Sequence, residues 1–229
     1  MRLLSFIILI MTFLSACTSD NVVKAEKEEL WGIFKNITKK TFPENAVIIQ
    51  SSALPSTKKW LKKFNQPIIL TSSTDKKNQA TLVSLGNNEE RLTWVSSDGI
   101  SLSYDNGVLI ATRGFSQDLL SLKYEKPSDL FKSSDINYNK THRYLNGENK
   151  YRDIQFKCTG KKEAPQPIEI VEYTLLVDKY VETCVNKRHS YKNEYDLLFG
   201  TTVVVKSKQW ISPVNKYFLT YNLYAFQKF

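Results

Sequence analysis

The stretch ISLSYDNGVLIATR, residues 100–113, decides the fold. Two runs of mixed apolar and polar residues flank Asn106-Gly107, the pair best suited to the two left-handed conformations of a type I′ turn. A two-residue turn sets the register, so that Tyr104 faces Leu109, Leu102 faces Ala111 and Ile100 faces Arg113. Ile100, Leu102, Tyr104, Leu109 and Ala111 then share one face and are assigned to the core. Ser101, Ser103 and Thr112 line the other, with Ile110 as its main apolar member.

The same grammar continues on both sides. Residues 79–85 and 90–95 flank Gly86-Asn87-Asn88 and read as a second hairpin. Short strands are expected at 46–50 and 68–72, with a helical turn over 56–64 introduced by Pro55. After Gly114, residues 117–122 read as a short helix or turn, and the polar stretch 126–134 as a long loop. Further strands are expected at 141–145, 151–158, 168–177, 180–188, 201–208 and 217–229. Strand after strand joined by short polar turns predicts a mainly β protein, a large antiparallel meander. Because free sheet edges recruit other chains, such a sheet is expected to curve into a partly closed barrel.

One strong helix precedes the sheet. Leu30, Ile33, Phe34 and Ile37 recur at helical spacing over residues 20–40, with Trp31 beside them, Asp20 as N-cap and Pro43 beyond the end. The acidic cluster Glu26, Glu28 and Glu29 reads as the solvated face of this helix, not as a metal site. The sheet then occupies about 46–229.

Ahead of the helix, Met1-Arg2 and the apolar run 3–14 have the shape of a secretory signal, too short to span a bilayer as a helix. The run closes on Leu14-Ser15-Ala16-Cys17, which resembles the lipobox of bacterial lipoproteins. The resemblance implies cleavage of residues 1–16 and a diacylglycerol and acyl group on Cys17, palmitate among the natural choices. No other cofactor is expected. Residues 17–229 would then form a single lipid-anchored domain. One acyl chain is a marginal anchor and two or three a lasting one. Thr18, in place of the aspartate of the inner-membrane retention signal, favours the outer membrane, with the domain on its periplasmic face.

With Cys17 acylated, Cys158 and Cys184 remain, an even pair in a compartment that permits disulfides. A bridge is expected; two free thiols are the alternative. The formal charge is +9, from lysines scattered through loops and strand ends without an arginine-rich block. That is the pattern of a solvated surface, and nucleic acid is not an expected partner.

Motifs for catalysis are sparse. His142 and His189 lack zinc-ligand spacing, no G-x-S-x-G elbow surrounds Ser116, and no phosphate-binding glycine loop occurs. Asp98, Asp105 and Asp118 could compose a carboxylate cluster, but aspartate is also favoured at turns for backbone reasons. No enzymatic activity and no metal are expected. Trp60 and Trp210, each among lysines, are candidates for stacking a glycan or meeting a partner; the competing reading is core aromatics beside snorkelling lysines.

The block 92–120 carries a family resemblance. Trp94, Asp98-Gly99, Asn106-Gly107, Thr112, Gly114 and Asp118-Leu119, taken with the lipobox, resemble the YjbF/GfcB family of outer-membrane lipoproteins. The resemblance implies a β-barrel-like fold that allows a homodimer, and a non-catalytic role in assembly or secretion of capsular or exopolysaccharide. Its implied partners are an outer-membrane polysaccharide export protein and the polymer. A different class remains open: a lipid or lipoprotein carrier similar to the Lol factors, which requires an apolar cavity inside the curved sheet.

Overall fold

The computed structural model describes residues 61–62, 66–74, 79–88, 91–125, 130–133, 135–145 and 150–226, all within the compact unit Thr41–Phe229. The expected helix over 20–40, the strand at 46–50, most of the turn at 56–64, Cys17 and Trp60 lie outside the described residues.

Thirteen strands form one antiparallel sheet. The first five are β1 (Ile68–Ser73), β2 (Gln79–Asn88), β3 (Arg91–Val95), β4 (Ser101–Asp105) and β5 (Val108–Arg113). They are followed by β6 (Leu119–Tyr124), β7 (Asp135–Leu145), β8 (Tyr151–Lys162), β9 (Gln166–Ile170) and β10 (Tyr173–Val185). Last come β11 (Ser190–Leu198), β12 (Val204–Ser212) and β13 (Lys216–Asn222), then a single 3-10 turn at Leu223–Phe226. The hydrogen-bonded path runs β5-β4-β3-β2-β1-β13-β12-β11-β10-β8-β7-β6, with β9 pairing on β10. The meander returns on itself, because β13 pairs with β1. What remains is a nearly closed barrel with one seam, between β5 and β6.

The organising hairpin folds about the predicted turn: Asn106 and Gly107 both have positive φ, 48° and 83°. Tyr104 faces Leu109 as expected, but a bulge at Ser103/Tyr104 shifts the rest, so Leu102 faces Thr112 and Ser103 faces Ala111. Thr112 is therefore buried rather than outward, and Ala111 is only half-buried. A single extra residue exchanges the two faces of everything beyond it.

Other differences have similar local causes. Gly86 lies at a bulge between Ser84 and Gly86, and β2 continues through Asn88 to pair with Arg91. Residues 119–124 form strand β6, not a helix or turn. The break expected after Val177 falls instead at Val171-Glu172, whose φ values are 49° and 61°. A β-branched residue resists that conformation, and here it is held by burial of Val171 at the ribbon tip. Residues 190–198, for which no strand is expected, form β11, whose buried positions include Asn193 as well as Tyr191 and Tyr195.

The interior is aromatic. Tyr138, Tyr144, Tyr180, Tyr191 and Tyr195 are buried together with Phe156 and Trp210. Leu130 and Phe131, from the turn before β7, are also buried, and Phe131 meets the rings of Tyr180 and Tyr195 edge-on at 5.3 and 5.0 Å. Gly160 makes room for Tyr180: a Cβ there would lie 1.7 Å from the phenol oxygen.

Candidate functional site

Three places in the barrel concentrate polar chemistry, and the first is the seam. Thr112 Oγ1 donates to Asp118 Oδ1 (2.8 Å) and accepts from the Leu119 amide (2.9 Å). Asp118 also accepts from the amides of Gly114 (3.0 Å) and Phe115 (3.3 Å). Arg113 spans the gap to the carbonyls of Leu119 (3.2 Å) and Leu120 (3.3 Å). Side chains thus replace the missing ladder between β5 and β6. Gly114 has φ of 96° and its Cα is packed against Ile100, where a Cβ would sit 3.3 Å from the Ile100 Cα. The motif residues Thr112, Gly114 and Asp118 are the clasp of the barrel.

The second place lies inside it. Lys140 and Glu182, 1% and 0% exposed, form an ion pair with Nζ 2.6 Å from Oε1 and 2.8 Å from Oε2. Tyr138 donates its hydroxyl to Glu182 Oε1, and Asn193 Nδ2 donates to Oε2 at 2.7 Å. Asn193 Oδ1 then accepts the Trp210 amide at 2.7 Å. A buried charge is tolerable only when paired and hydrogen-bonded, and Glu182 meets three donors. Burial and the Glu182 charge push the Tyr138 phenol far above its usual range.

A neighbouring relay fixes a histidine tautomer. Tyr144 donates its hydroxyl to the Ile211 carbonyl (2.6 Å), so His142 Nδ1 must carry the proton given to the Tyr144 oxygen (3.0 Å). His142 Nε2 then accepts from Tyr191 (2.9 Å). The ring is neutral: burial first, and the Lys140 charge second, hold it well below the ordinary histidine range.

Cys158 and Cys184 face each other across β8 and β10 and form a disulfide. They lie with Glu182 within 4.8 Å. Both sulfurs are committed to the bridge, so the trio is not a metal donor set. Trp210 is 7% exposed and stacked on Tyr191 at 4.5 Å, with Phe156 and His142 edge-on to it. It is enclosed as a core aromatic, the competing reading of that residue.

The third place is a cavity of ≈ 340 Å³ beside the Asn106-Gly107 turn, lined among others by Ile69, Leu92, Trp94, Tyr104, Val204 and Asn222. The hairpin leans across the barrel onto β12: the Leu109 amide donates to Gln209 Oε1 (2.8 Å), and Gln209 Nε2 donates to the Gly107 carbonyl (2.9 Å). A Cβ on Gly107 would lie 2.4 Å from Val204 Cγ2, so glycine is required for approach as well as for φ. Trp94, buried, is the wall of this corner.

The three aspartates do separate structural work. Asp118 holds the seam, Asp98 accepts from Ser96 Oγ in its own turn, and Asp105 sits at the other end of β4, 3.8 Å from Arg91. Lys140, Glu182, Tyr138 and Asn193 were not singled out from sequence. For Tyr138 and Lys140 a signal was present in the period-two positions 138, 140, 142 and 144, which are buried while their neighbours face outward; Glu182 and Asn193 lie on β10 and β11.

The family described as "Group 4 capsule polysaccharide lipoprotein gfcB, YjbF" matches residues 41–221. The chain belongs to this family. A crystal structure of the hypothetical lipoprotein YmcC from Escherichia coli (K12) is similar, with a TM-score of 0.63 and 15% identity, covering 71% of this chain and 86% of that one. At that identity the likeness is one of fold. No curated protein matches the chain by sequence. In this YjbF-family chain, Trp94, Asn106-Gly107, Thr112 and Gly114 build the hairpin corner and the seam. The family description, a capsule-associated lipoprotein, is consistent with a place in the cell envelope.

Proposed function

We propose that this chain is a non-catalytic lipoprotein of the outer membrane that assists assembly or secretion of capsular polysaccharide from the periplasmic face. The observation that carries the reading is the match of residues 41–221 to a family described by its association with group 4 capsule polysaccharide. Leu14-Ser15-Ala16-Cys17 supplies the means of anchoring, through lipid on Cys17. The fold is in keeping with a scaffold: buried Lys140, Glu182, Tyr138, Tyr144 and Tyr191 are bonded to side chains or backbone of the barrel itself. Partners of the matching chemistry are an export protein of the outer membrane and the polymer itself.

A lipid carrier of the Lol kind needs an apolar bore; the interior between β7, β8, β10 and β11 is instead filled by tyrosines and the Lys140–Glu182 pair, and the space such a ligand would have among the described residues is the cavity of ≈ 340 Å³ beside Asn106-Gly107. Deleting the gene and measuring surface polysaccharide tests the proposal. Surface polymer should fall and return with the wild-type gene, while sorting of other lipoproteins stays unchanged. Normal polymer in the deletion strain would refute it.

A further inference from the structure

The outward face of β7 and β8 takes no part in the barrel core. In their register Asn137 stands opposite Thr159, Thr141 opposite Gln155, Arg143 opposite Asp153 and Leu145 opposite Tyr151. These residues are exposed or half-buried, while the alternate set, including Tyr138, Lys140 and Tyr144, is buried inside. The face extends along the eleven residues of β7, about 35 Å at the usual strand rise.

Tyr151 stands out on it at 65% exposure. The Arg143 guanidinium lies over the ring at 4.3 Å, and Asp153 holds that guanidinium through two bonds of 2.7 and 2.8 Å. An ordinary surface tyrosine turns freely, whereas this ring is braced from one side with its remaining surface in solvent. Bracing lowers the entropy lost when something stacks on it. Around it the face offers amides and hydroxyls, together with Lys157, opposite Asn139, and Lys161, opposite Asp135; Lys123 acts electrostatically on Asp153. The carboxylates at the face are Asp135, Asp153, which is taken up by Arg143, and Glu125, which accepts from Asn139 Nδ2 at 3.0 Å.

We propose that this face binds an extended stretch of acidic polysaccharide, with one sugar ring stacked on Tyr151 and acid groups met by Lys157 and Lys161. The inference rests on the polysaccharide reading above and names the surface that meets the polymer. The C–H groups of a pyranose face suit the electron-rich face of an aromatic ring, and sugar hydroxyls suit rows of amide and hydroxyl side chains. A protein interface would call for a broad apolar centre, whereas the exposed apolar side chains here are Leu145 and Tyr151 at the end of the ladder and Val185 beside Lys157. An anionic bilayer would draw on the lysines and would also seat an exposed tyrosine at headgroup level, so vesicles form a separate arm of the test.

Binding is measured with the full chain in detergent micelles and the surface polysaccharide purified from the producing strain, with neutral dextran and phosphatidylglycerol vesicles as further arms. Wild type should bind the acidic polymer above dextran. Tyr151→Ala should raise Kd about tenfold, while Tyr151→Phe stays within about twofold. Lys157→Glu with Lys161→Glu should weaken binding and flatten its salt dependence. Absence of polymer binding, an unchanged Kd in Tyr151→Ala, or lysine effects confined to the vesicles would each overturn the proposal. So would self-association of the chain that Tyr151→Ala abolishes without affecting polymer. A deletion strain short of surface polymer yet fully restored by Tyr151→Ala would sink this inference and leave the assembly role standing.

Discussion

Replacing Lys140 with methionine should cost this barrel about 3–5 kcal/mol, the usual loss when one partner of a buried ion pair is removed. The figure follows from the surroundings of Glu182. That carboxylate is 0% exposed, and its charge partner among the described residues, Lys140, lies 2.6 Å away. Tyr138 and Asn193 would remain as donors, but a neutral hydrogen bond does not offset a buried charge. Equilibrium urea unfolding followed by near-ultraviolet circular dichroism reads the loss. With a slope of about 2 kcal/mol/M, the midpoint should fall by roughly 1.5–2.5 M. Adding Glu182→Leu should recover part of the loss, because it removes the uncompensated charge. A deficit below about 1 kcal/mol, the range of exposed pairs, with nothing recovered by Glu182→Leu, would refute the reasoning.

Four further outcomes follow from the geometry. Thr112→Val leaves the buried Leu119 amide without its acceptor and should cost about 1–3 kcal/mol by the same assay. Gly107→Ala meets both φ of 83° and the Val204 side chain, and should lower stability by about 2 kcal/mol or more. Thiol titration of the unfolded, unreduced protein should find Cys158 and Cys184 unreactive, and replacing both with alanine should remove about 3 kcal/mol. His142 is held neutral, its folded pKa depressed below the unfolded value of about 6.5. Its contribution is therefore complete above that pH and is lost as the pH falls towards the folded value. The slope approaches one proton, about 1.4 kcal/mol per pH unit, and His142→Gln should flatten it.

Much of this architecture is legible in local chemistry. Asn106-Gly107 specifies its turn by backbone preference alone, and short polar turns between alternating runs announce a meander. The departures arise where tertiary contacts override local preference. Val171-Glu172 carries no turn signature and adopts left-handed geometry because the ribbon tip buries the valine. The bulge at Ser103/Tyr104 turns Thr112 inward, and nothing in the run 100–113 marks where the extra residue falls. Lys140 and Glu182 lie far apart in sequence, and a lysine read alone belongs to the surface. Only the pairing of β7 with β8 and of β8 with β10 brings the two together. Tyr151 was equally silent, since what distinguishes it is the Arg143–Asp153 brace and not its own neighbours in sequence.

The proposed action of a folded barrel on capsular polymer from a lipid tether is tested most directly by quantifying surface polysaccharide in the deletion strain carrying either wild type or Cys17→Ser, with both proteins matched in level. Wild type should restore surface polymer and Cys17→Ser should not. Equal restoration by Cys17→Ser, or a deletion strain that never lost polymer, would contradict it.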